Sequence, residues 1–354
     1  MLTLSGESEG FLISTRFSNS IFVVDSHTAG NPTRVAVGGL PKIPGDSVVQ
    51  KRDYIRSKMD YLRTFLCNEP RGHSGMFGAF LVEPSNKDAD FGVIFFNPSY
   101  YDEMCGHGTI GVCTVLVEMG MVQLKEPATE ITLETPAGLI RARVNTPGGK
   151  VKSVSFVNVP SFLYKRDVSI NVPDYGEVKG DVGYGGNWFY YVDAQEIGVR
   201  IRSENTDALV KAGAAIKSAF NKEFKLVHPT DPNISKKLHA VCIVDTPVKN
   251  KNANQSQAVV GGNWISREPS GTGTSGRMAV LFGRNKLGLN EDFINESIIG
   301  ETYRGRLIEE TKVGEYTAVV PEITGSAYIM GFHHFVLDPD DPFGLKGFVL
   351  GQEI

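Results

Sequence analysis

The chain has 354 residues, of which 41% are hydrophobic and 21% charged, the usual balance of a globular protein. Its 36 Lys and Arg against 40 Asp and Glu leave a net charge of −4, which offers no basic surface to nucleic acid or an anionic membrane. The length predicts about two domains. No apolar run reaches membrane-spanning length, and the N-terminal stretch contains Glu7 and Glu9 rather than a secretory signal, so we expect a cytoplasmic protein.

Short apolar stretches between glycine-rich turns predict strands along much of the chain. In chain order the clearest are Ile21–Val24, Val93–Phe96, Leu139–Val144 and Val154–Val157. Convincing helices are fewer. Buried helices are predicted over Gly108–Met119 and Gly276–Arg284, and an alanine-rich helix over Asp207–Phe220. This mixture predicts an α+β fold in which curved sheets surround central helices.

One glycine-rich motif occurs twice, about half the chain apart. Cys105–Gly111 (CGHGTIG) precedes the first buried helix, and Ser270–Gly276 (SGTGTSG) precedes the second. Similar segments follow the two helices, beginning at Glu134 and Glu296. The repeat predicts two pseudo-symmetric lobes, each with a helix that begins at a glycine-rich loop.

Glycines before a helix let the backbone approach a ligand closely, and the free N–H groups there attract an anion. Two such helix starts facing one cleft would bind a carboxylate, or else a phosphate. Gly271–Gly276 matches the dinucleotide motif G-x-G-x-x-G, but the segments after it resemble strands and turns. No Lys follows the glycines, which excludes a P-loop. A carboxylate site is therefore the better interpretation.

The four cysteines are too few and too scattered for a disulfide framework, and no C-x-x-C or H-E-x-x-H pattern is present. We therefore predict no metal and no cofactor. Cys67, Cys113 and Cys242 are interpreted as small buried hydrophobes. Cys105 differs, because a thiol at a helix N-terminus is expected to have a lowered pKa and can act as a nucleophile or general base.

Removing a proton α to a carboxylate needs a base on one face, a partner on the other, and donors that hold the carboxylate. The paired loops offer all three positions. Their geometry predicts racemisation, epimerisation or dehydration without a cofactor.

Six segments resemble the proline racemase family and together span nearly the whole chain. They are Asp25–Arg34, Glu69–His73, Met104–Gly111, Tyr184–Tyr190, Gly325–Gly331 and Asp340–Phe343. The third resembles the family's first catalytic signature and is highly specific. The family includes proline racemases, hydroxyproline 2-epimerases and trans-3-hydroxyproline dehydratases on the two-lobed diaminopimelate epimerase-like fold. The resemblance implies cofactor-independent chemistry on a pyrrolidine-2-carboxylate.

On this resemblance, residues 1–158 with 326–354 are expected to form the first lobe, which carries Cys105. Residues 159–325 are expected to form the second, which carries Ser270, with the active site in the cleft between them. Family precedent also makes a homodimer the expected assembly.

The second family signature departs from its usual form. The family pattern is D-R-S-P-C-G-T-G-T, whereas Ser266–Thr274 has the sequence S-R-E-P-S-G-T-G-T. Ser270 thus replaces the second acid/base cysteine, and a serine hydroxyl is a poor base although it can donate or relay a proton. Ser266 replaces an aspartate that in the family contacts the substrate amine. Glu268 or Asp102 could substitute, and the sequence does not choose between them.

The resemblance also implies the roles of the remaining site residues. Cys105 would be the general base facing the α-carbon, and Ser270 would face the opposite side. Backbone N–H groups at the two helix starts would bind the carboxylate, and His107 could also accept from the ring nitrogen. The substrate-binding residues implied are Gly106, His107, Ser266, Gly271 and Thr272.

Other polar residues in the family-like segments are interpreted as scaffold. Asp25 and Arg34 are expected to form a buried pair, and His73 to cap or line the cleft. His333 and His334 are adjacent on a predicted strand and face opposite ways, so they cannot share one metal.

The preferred interpretation is a proline racemase or 4-hydroxyproline 2-epimerase that inverts the α-carbon. The second is a trans-3-hydroxy-L-proline dehydratase, favoured by Ser270, with Cys105 as the single base. The third, of another class, is a non-catalytic proline-binding protein. The retained Cys105 argues against the third, because an idle thiolate is an oxidation liability.

Overall fold

The computed structural model describes residues 20–232, 234 and 236–350. Within these residues, seventeen strands form one hydrogen-bonded sheet system. In chain order they are β1 Ser20–Thr28, β2 Asn31–Gly38, β3 Gly78–Val82, β4 Phe91–Phe96, β5 Tyr101–Asp102, β6 Ala128–Thr135, β7 Gly138–Asn145, β8 Ser153–Val157, β9 Ser161–Val172, β10 Gly176–Tyr184, β11 Trp188–Asp193, β12 Ala240–Asp245, β13 Gln255–Val260, β14 Asp292–Ser297, β15 Thr302–Val313, β16 Tyr316–Gly325 and β17 Ala327–Val336.

Six α-helices accompany the strands in the same described part of the chain. They are α1 Val48–Lys58, α2 Tyr61–Cys67, α3 Gly106–Glu118, α4 Ala194–Ile197, α5 Thr206–Glu223 and α6 Gly271–Gly283. Helices α1 and α2 were not predicted, because α1 is rich in charge and its apolar spacing is weak. Its start is nevertheless stabilised by Ser47, whose side chain accepts a hydrogen bond from the backbone N–H of Gln50.

The strands of the two halves pair in the same order. In the first half, β2–β3, β3–β4, β4–β6 and β6–β7 are parallel, antiparallel, parallel and antiparallel. In the second half, β11–β12, β12–β13, β13–β14 and β14–β15 repeat that order. Helix α3 lies in the crossover from β4 to β6, and α6 in the crossover from β13 to β14. The predicted α+β fold with two pseudo-symmetric halves is confirmed.

The halves are also joined by strand pairing near their chain boundaries. β16 pairs with β8 and β9 as well as with β15, and β17 returns to pair with β1. One apolar core contains α3 together with Met278 of α6 and Tyr303 of β15. A second core is built mainly from β9–β13 and α5. The lobe bounds given above remain a prediction.

Both glycine-led helices are central and buried. In α3 every residue from Gly106 to Val117 is buried. Helix α6 begins at Gly271 rather than at the predicted Gly276, because the side chain of Ser270 accepts from the backbone N–H of Gly273 and caps the first turn. This cap lets a glycine-rich run form helix, despite the low helical propensity of glycine.

Candidate active site

The two helix starts meet backbone to backbone at the centre of the molecule. A Cβ atom added to Gly106 would lie 2.7 Å from the α-carbon of Gly271, and one added to Gly271 would lie 2.8 Å from the α-carbon of Gly106. Only glycine fits at this approach. The contact brings the N-terminal N–H groups of α3 and α6 together, and these groups have no partner within their own helices.

A small cavity lies at this junction. All seven residues predicted for the site line it: Cys105, Gly106, His107, Ser266, Ser270, Gly271 and Thr272. The remaining lining residues are Phe77, Asp102, Met104, Asn187, His239, Val259, Trp264 and Glu268.

Cys105 is the N-cap residue of α3, and its thiol lies beside the His107 ring. The Cys105 Sγ is 3.4 Å from His107 Nδ1. Gly108 provides the space for this arrangement, because a Cβ there would lie 3.1 Å from the same sulfur and 2.7 Å from the Phe95 ring. The absence of a side chain at Gly108 therefore leaves room for the Cys105 thiol at this position.

The His107 ring is buried and neutral. Burial lowers the pKa of His107 to about 3, although a hydrogen bond to the Pro32 backbone acts in the opposite direction. Its Nε2 lies 3.1 Å from the side-chain nitrogen of Asn31, whose Oδ1 accepts from the backbone N–H of Arg267 at 3.3 Å. Its Nδ1 faces the Cys105 sulfur.

The thiol of Cys105 does not have the lowered pKa expected from its place at a helix start. Burial raises the pKa of Cys105, the negative charges of Asp102 and Glu268 add to the increase, and only the backbone N–H of Gly108 opposes it. The expectation was wrong because desolvation and two nearby carboxylates outweigh the helix terminus.

Ser270 is the N-cap residue of α6, as Cys105 is of α3, but its backbone conformation is rare. Its φ angle of 66° lies in the left-handed region, which residues other than glycine rarely adopt. Two hydrogen bonds hold it there: its Oγ accepts from Gly273 N at 3.0 Å, and its own N–H donates to Glu268 Oε2 at 2.5 Å. The hydroxyl hydrogen of Ser270 is left free to donate.

Glu268 is a buried carboxylate between the two helix starts. It is only 3% exposed. Its Oε1 accepts from the Ser266 hydroxyl at 2.8 Å and lies 3.7 Å from His107 Nδ1. Burial raises the pKa of Glu268 to about 7, although its interactions with the Ser266 hydroxyl, the Tyr303 hydroxyl and the Ser270 backbone act in the opposite direction. Near neutral pH this group exists in both protonation states.

A second carboxylate, Asp102, lies on another wall of the cavity. It accepts from Asn97 Nδ2 at 3.4 Å, and its Oδ1 is 4.0 Å from His239 Nδ1. Burial raises the pKa of Asp102 to about 8 and lowers that of His239 to about 3. At neutral pH Asp102 is therefore mainly protonated and the His239 ring is neutral.

Comparisons with known proteins agree with this arrangement. A family model described as proline racemase matches residues 23–349. The proline racemase of Acetoanaerobium sticklandii is 45% identical over 92% of this chain and 98% of its own. A trans-3-hydroxy-L-proline dehydratase of Burkholderia cenocepacia is 40% identical over 92% and 97%. A hydroxyproline epimerase of Agrobacterium vitis, solved with bound trans-4-hydroxy-L-proline, superposes with a TM-score of 0.88 at 34% identity, over 95% and 96%.

The chain belongs to the proline racemase family. The family predicted from the sequence is thereby confirmed, and its named relatives include both enzyme classes given for this chain, isomerase and, as the alternative, lyase. In this member of the proline racemase family, the acidic residue within Ser266–Thr274 is Glu268.

Among the scaffold predictions, the buried Asp25–Arg34 pair is confirmed, whereas His73 does not line the cavity. Arg34 forms a bidentate pair with Asp25, with bonds of 2.9 and 2.7 Å, and both residues are buried. His73 is not among the cavity-lining residues; its Nδ1 accepts from the backbone N–H of Gly75. His333 lies 3.4 Å from Asp25, whereas His334 stacks on Phe22, so the two rings have different neighbours.

Several lining residues were missed by the sequence analysis. Asn187 lies inside a family-like segment, which could have identified it, as does Asn31, which contacts His107 without lining the cavity. His239 and Trp264 lie outside all six segments and reach the cavity only through folding. No signal in the sequence distinguishes His239.

In the described residues, no group of three or more His, Cys, Asp or Glu side chains could hold a metal ion. Over the same part of the chain, no helix is long and apolar enough to cross a membrane.

Proposed function

We propose that this protein inverts the α-carbon of proline or 4-hydroxyproline without a cofactor. The observation that carries the proposal is the meeting of two helix starts at one small cavity, with Cys105 on one and Ser270 on the other. The names of the relatives, which include proline racemase and hydroxyproline epimerase, support the same substrate class.

The substrate carboxylate is bound at the junction of α3 and α6. Its oxygens accept from the backbone N–H groups of Gly106, His107, Gly271 and Thr272, and the two helix dipoles add favourable potential. These donors also stabilise the negative charge that develops when the α-proton leaves, because the carboxylate is conjugated with the forming carbanion.

Cys105 and Ser270 exchange protons with the α-carbon on its two faces. The Cys105 thiolate takes the α-proton, and the Ser270 hydroxyl returns a proton to the other face, which leaves a serine alkoxide. A proton relayed from the Cys105 thiol then resets both groups. The alkoxide is the costly species, and its stabilisation depends on the Gly273 N–H that Ser270 Oγ already accepts.

The predicted lobes fit this proposal. Residues 1–158 with 326–354 would carry Cys105, residues 159–325 would carry Ser270, and closure of the cleft would exclude water. A homodimer in solution is part of the same proposal.

The test is proton NMR in D₂O with L-proline, trans-4-hydroxy-L-proline and trans-3-hydroxy-L-proline in parallel samples. Loss of the α-proton signal together with loss of chirality supports inversion. Exchange at the α-carbon with chirality retained means that Cys105 is the single working base.

The second candidate is a trans-3-hydroxy-L-proline dehydratase. It is favoured by Ser270, because elimination of a 3-hydroxyl needs one base and not two. The dehydratase of Burkholderia cenocepacia is among the relatives. Conversion of trans-3-hydroxy-L-proline to a cyclic imine, with proline and 4-hydroxyproline unchanged, would replace the first proposal with this one. A protein that binds proline and changes none of the three would be a binding protein.

A further inference from the structure

We infer that Glu268 binds the cationic amine of the substrate and that Ser266, at the position where the family carries an acid, has become its positioning residue. The inference rests on the proposed function, since it requires an amino acid in the cavity. It assigns one of two cavity carboxylates to a specific chemical group.

Glu268 is a buried acid with no Lys or Arg partner among the described residues. The neighbouring His107 is neutral. A buried carboxylate is costly to ionise unless a positive charge accompanies it. A secondary ammonium bound in the cavity would supply that charge.

Hydrogen bonds hold both carboxylate oxygens of Glu268. Ser266 donates to one oxygen and the Ser270 backbone to the other, so both oxygens are fixed in the ionised form. Asp102, by contrast, accepts one long bond of 3.4 Å from Asn97. Since an ammonium pairs with an ionised carboxylate, Glu268 is the better partner of the two.

Glu268 lies close to both helix starts. It accepts from the backbone N–H of Ser270, the N-cap residue of α6, and lies 3.7 Å from His107 in the first turn of α3. The α-amine is attached to the same carbon as the carboxylate that these helix starts bind. The Glu268 carboxylate provides acceptors beside that position.

The inference also accounts for how Cys105 becomes a base. The negative charge of Glu268 contributes to the raised pKa of the thiol. An ammonium bound at Glu268 would offset that charge, so the thiolate would form more readily with substrate present than in the free enzyme.

The experiment compares two ligands that differ only at the amine. Calorimetric titration would measure the affinity of racemic proline and of racemic tetrahydrofuran-2-carboxylate, in which an ether oxygen replaces the amine. Racemic ligands are used because inversion then changes nothing in the sample. We expect wild-type protein to prefer proline, and Glu268→Gln to reduce that preference about 10- to 100-fold while ether affinity changes little.

Asp102→Asn is the matched control, because it neutralises the other carboxylate of the same cavity. It should keep the preference for the amine ligand. The inference would be overturned if Glu268→Gln still preferred proline over the ether ligand, or if Asp102→Asn lost that preference. Either result would leave the proposed function standing. If wild-type protein binds neither ligand, the proposed substrate class fails and the inference fails with it.

A double variant that moves the carboxylate from residue 268 to residue 266 tests the same point, because it should restore the preference for the amine ligand. Glu268→Ser should lose the amine preference, and Ser266→Asp combined with Glu268→Ser should recover it, because a carboxylate returns to the same wall of the cavity. This pair also covers the case in which Glu268→Gln does not fold. Equal preference in the two variants would contradict the assignment.

Discussion

Gly106 and Gly271 touch through their backbones, although 165 positions apart. Each is the first residue of its helix, and neither has room for a Cβ. Their contact sets the distance between the two sets of helix N–H groups, and therefore the size of the anion site that we propose there.

Gly106→Ala should separate these helix starts. The added methyl would meet Gly271 backbone, which cannot rotate away, so we expect a loss of about 1–3 kcal/mol in the free energy of unfolding and a loss of activity of at least about 10-fold. Thermal melts and the NMR assay would measure both. Gly38→Ala is the control, because its Cβ would be 3.8 Å from the nearest atom, an ordinary contact. Equal effects of the two changes would show that the helix contact has no special role.

Cys105→Ser should abolish α-proton exchange, because the base is removed from the cavity. We expect activity to fall at least about 10³-fold, with little loss of stability, since the change is nearly isosteric. Cys113→Ser is the comparison, because that cysteine is also buried in α3 but does not line the cavity. Retained exchange in Cys105→Ser would remove the thiol from the mechanism.

Alkylation gives an independent readout of the same thiol. Because burial raises the pKa of Cys105, iodoacetamide should inactivate the free enzyme slowly at pH 7 and faster as the pH rises. Mass spectrometry should locate the adduct at Cys105. No disulfide between Cys105 and another cysteine should form on oxidation, and finding one would contradict the single-thiol site.

Ser270→Ala should keep exchange of the α-proton but lose inversion of the α-carbon. Without the hydroxyl, Cys105 can still remove and return the α-proton on its own face, so deuterium should enter proline with chirality retained. The lost cap on Gly273 should cost about 1 kcal/mol of stability. Ser270→Cys should instead raise the rate of inversion, because a thiol is a better acid and base than an alcohol. Unchanged inversion in Ser270→Ala would exclude Ser270 as the second proton donor.

The stability of the ligand-free protein should fall as the pH rises from about 6.5 to 8, because below that range the lowered pKa values of His107 and His239 act in the opposite direction. The pKa of Glu268 is raised by burial to about 7, above its ordinary value of 4.5, so the folded state holds this proton more tightly than the unfolded state. Stability from that proton is fully present below the ordinary value and is lost as the pH rises through the folded value. Asp102, with a pKa of about 8, acts in the same direction.

Thermal melts at several pH values would measure this dependence. Glu268→Gln and Asp102→Asn should each flatten the curve, because an amide does not titrate. If stability depended as steeply on pH in the double variant as in the wild type, other titrating groups would dominate the pH dependence.

Local sequence patterns predicted much of the fold. The buried helix after Cys105 was predicted to within two residues at its start and one at its end, because an unbroken apolar run needs no distant information. The start of α6 was predicted too late, because the cap formed by Ser270 depends on a left-handed backbone that composition does not reveal. Helix α1 was not predicted because it is rich in charged residues and its apolar residues show little helical periodicity.

The sequence by itself determined the duplicated halves, the two glycine-led helices, Cys105 and the altered second signature, because each depends on residues close together in the chain. Only the tertiary structure decided that Gly106 meets Gly271, that Glu268 is held by Ser266, and that His239 reaches the cavity. It also reversed the expected pKa shift of Cys105. These properties depend on which distant groups share a buried space, where desolvation and nearby charges outweigh the local influence of a helix terminus.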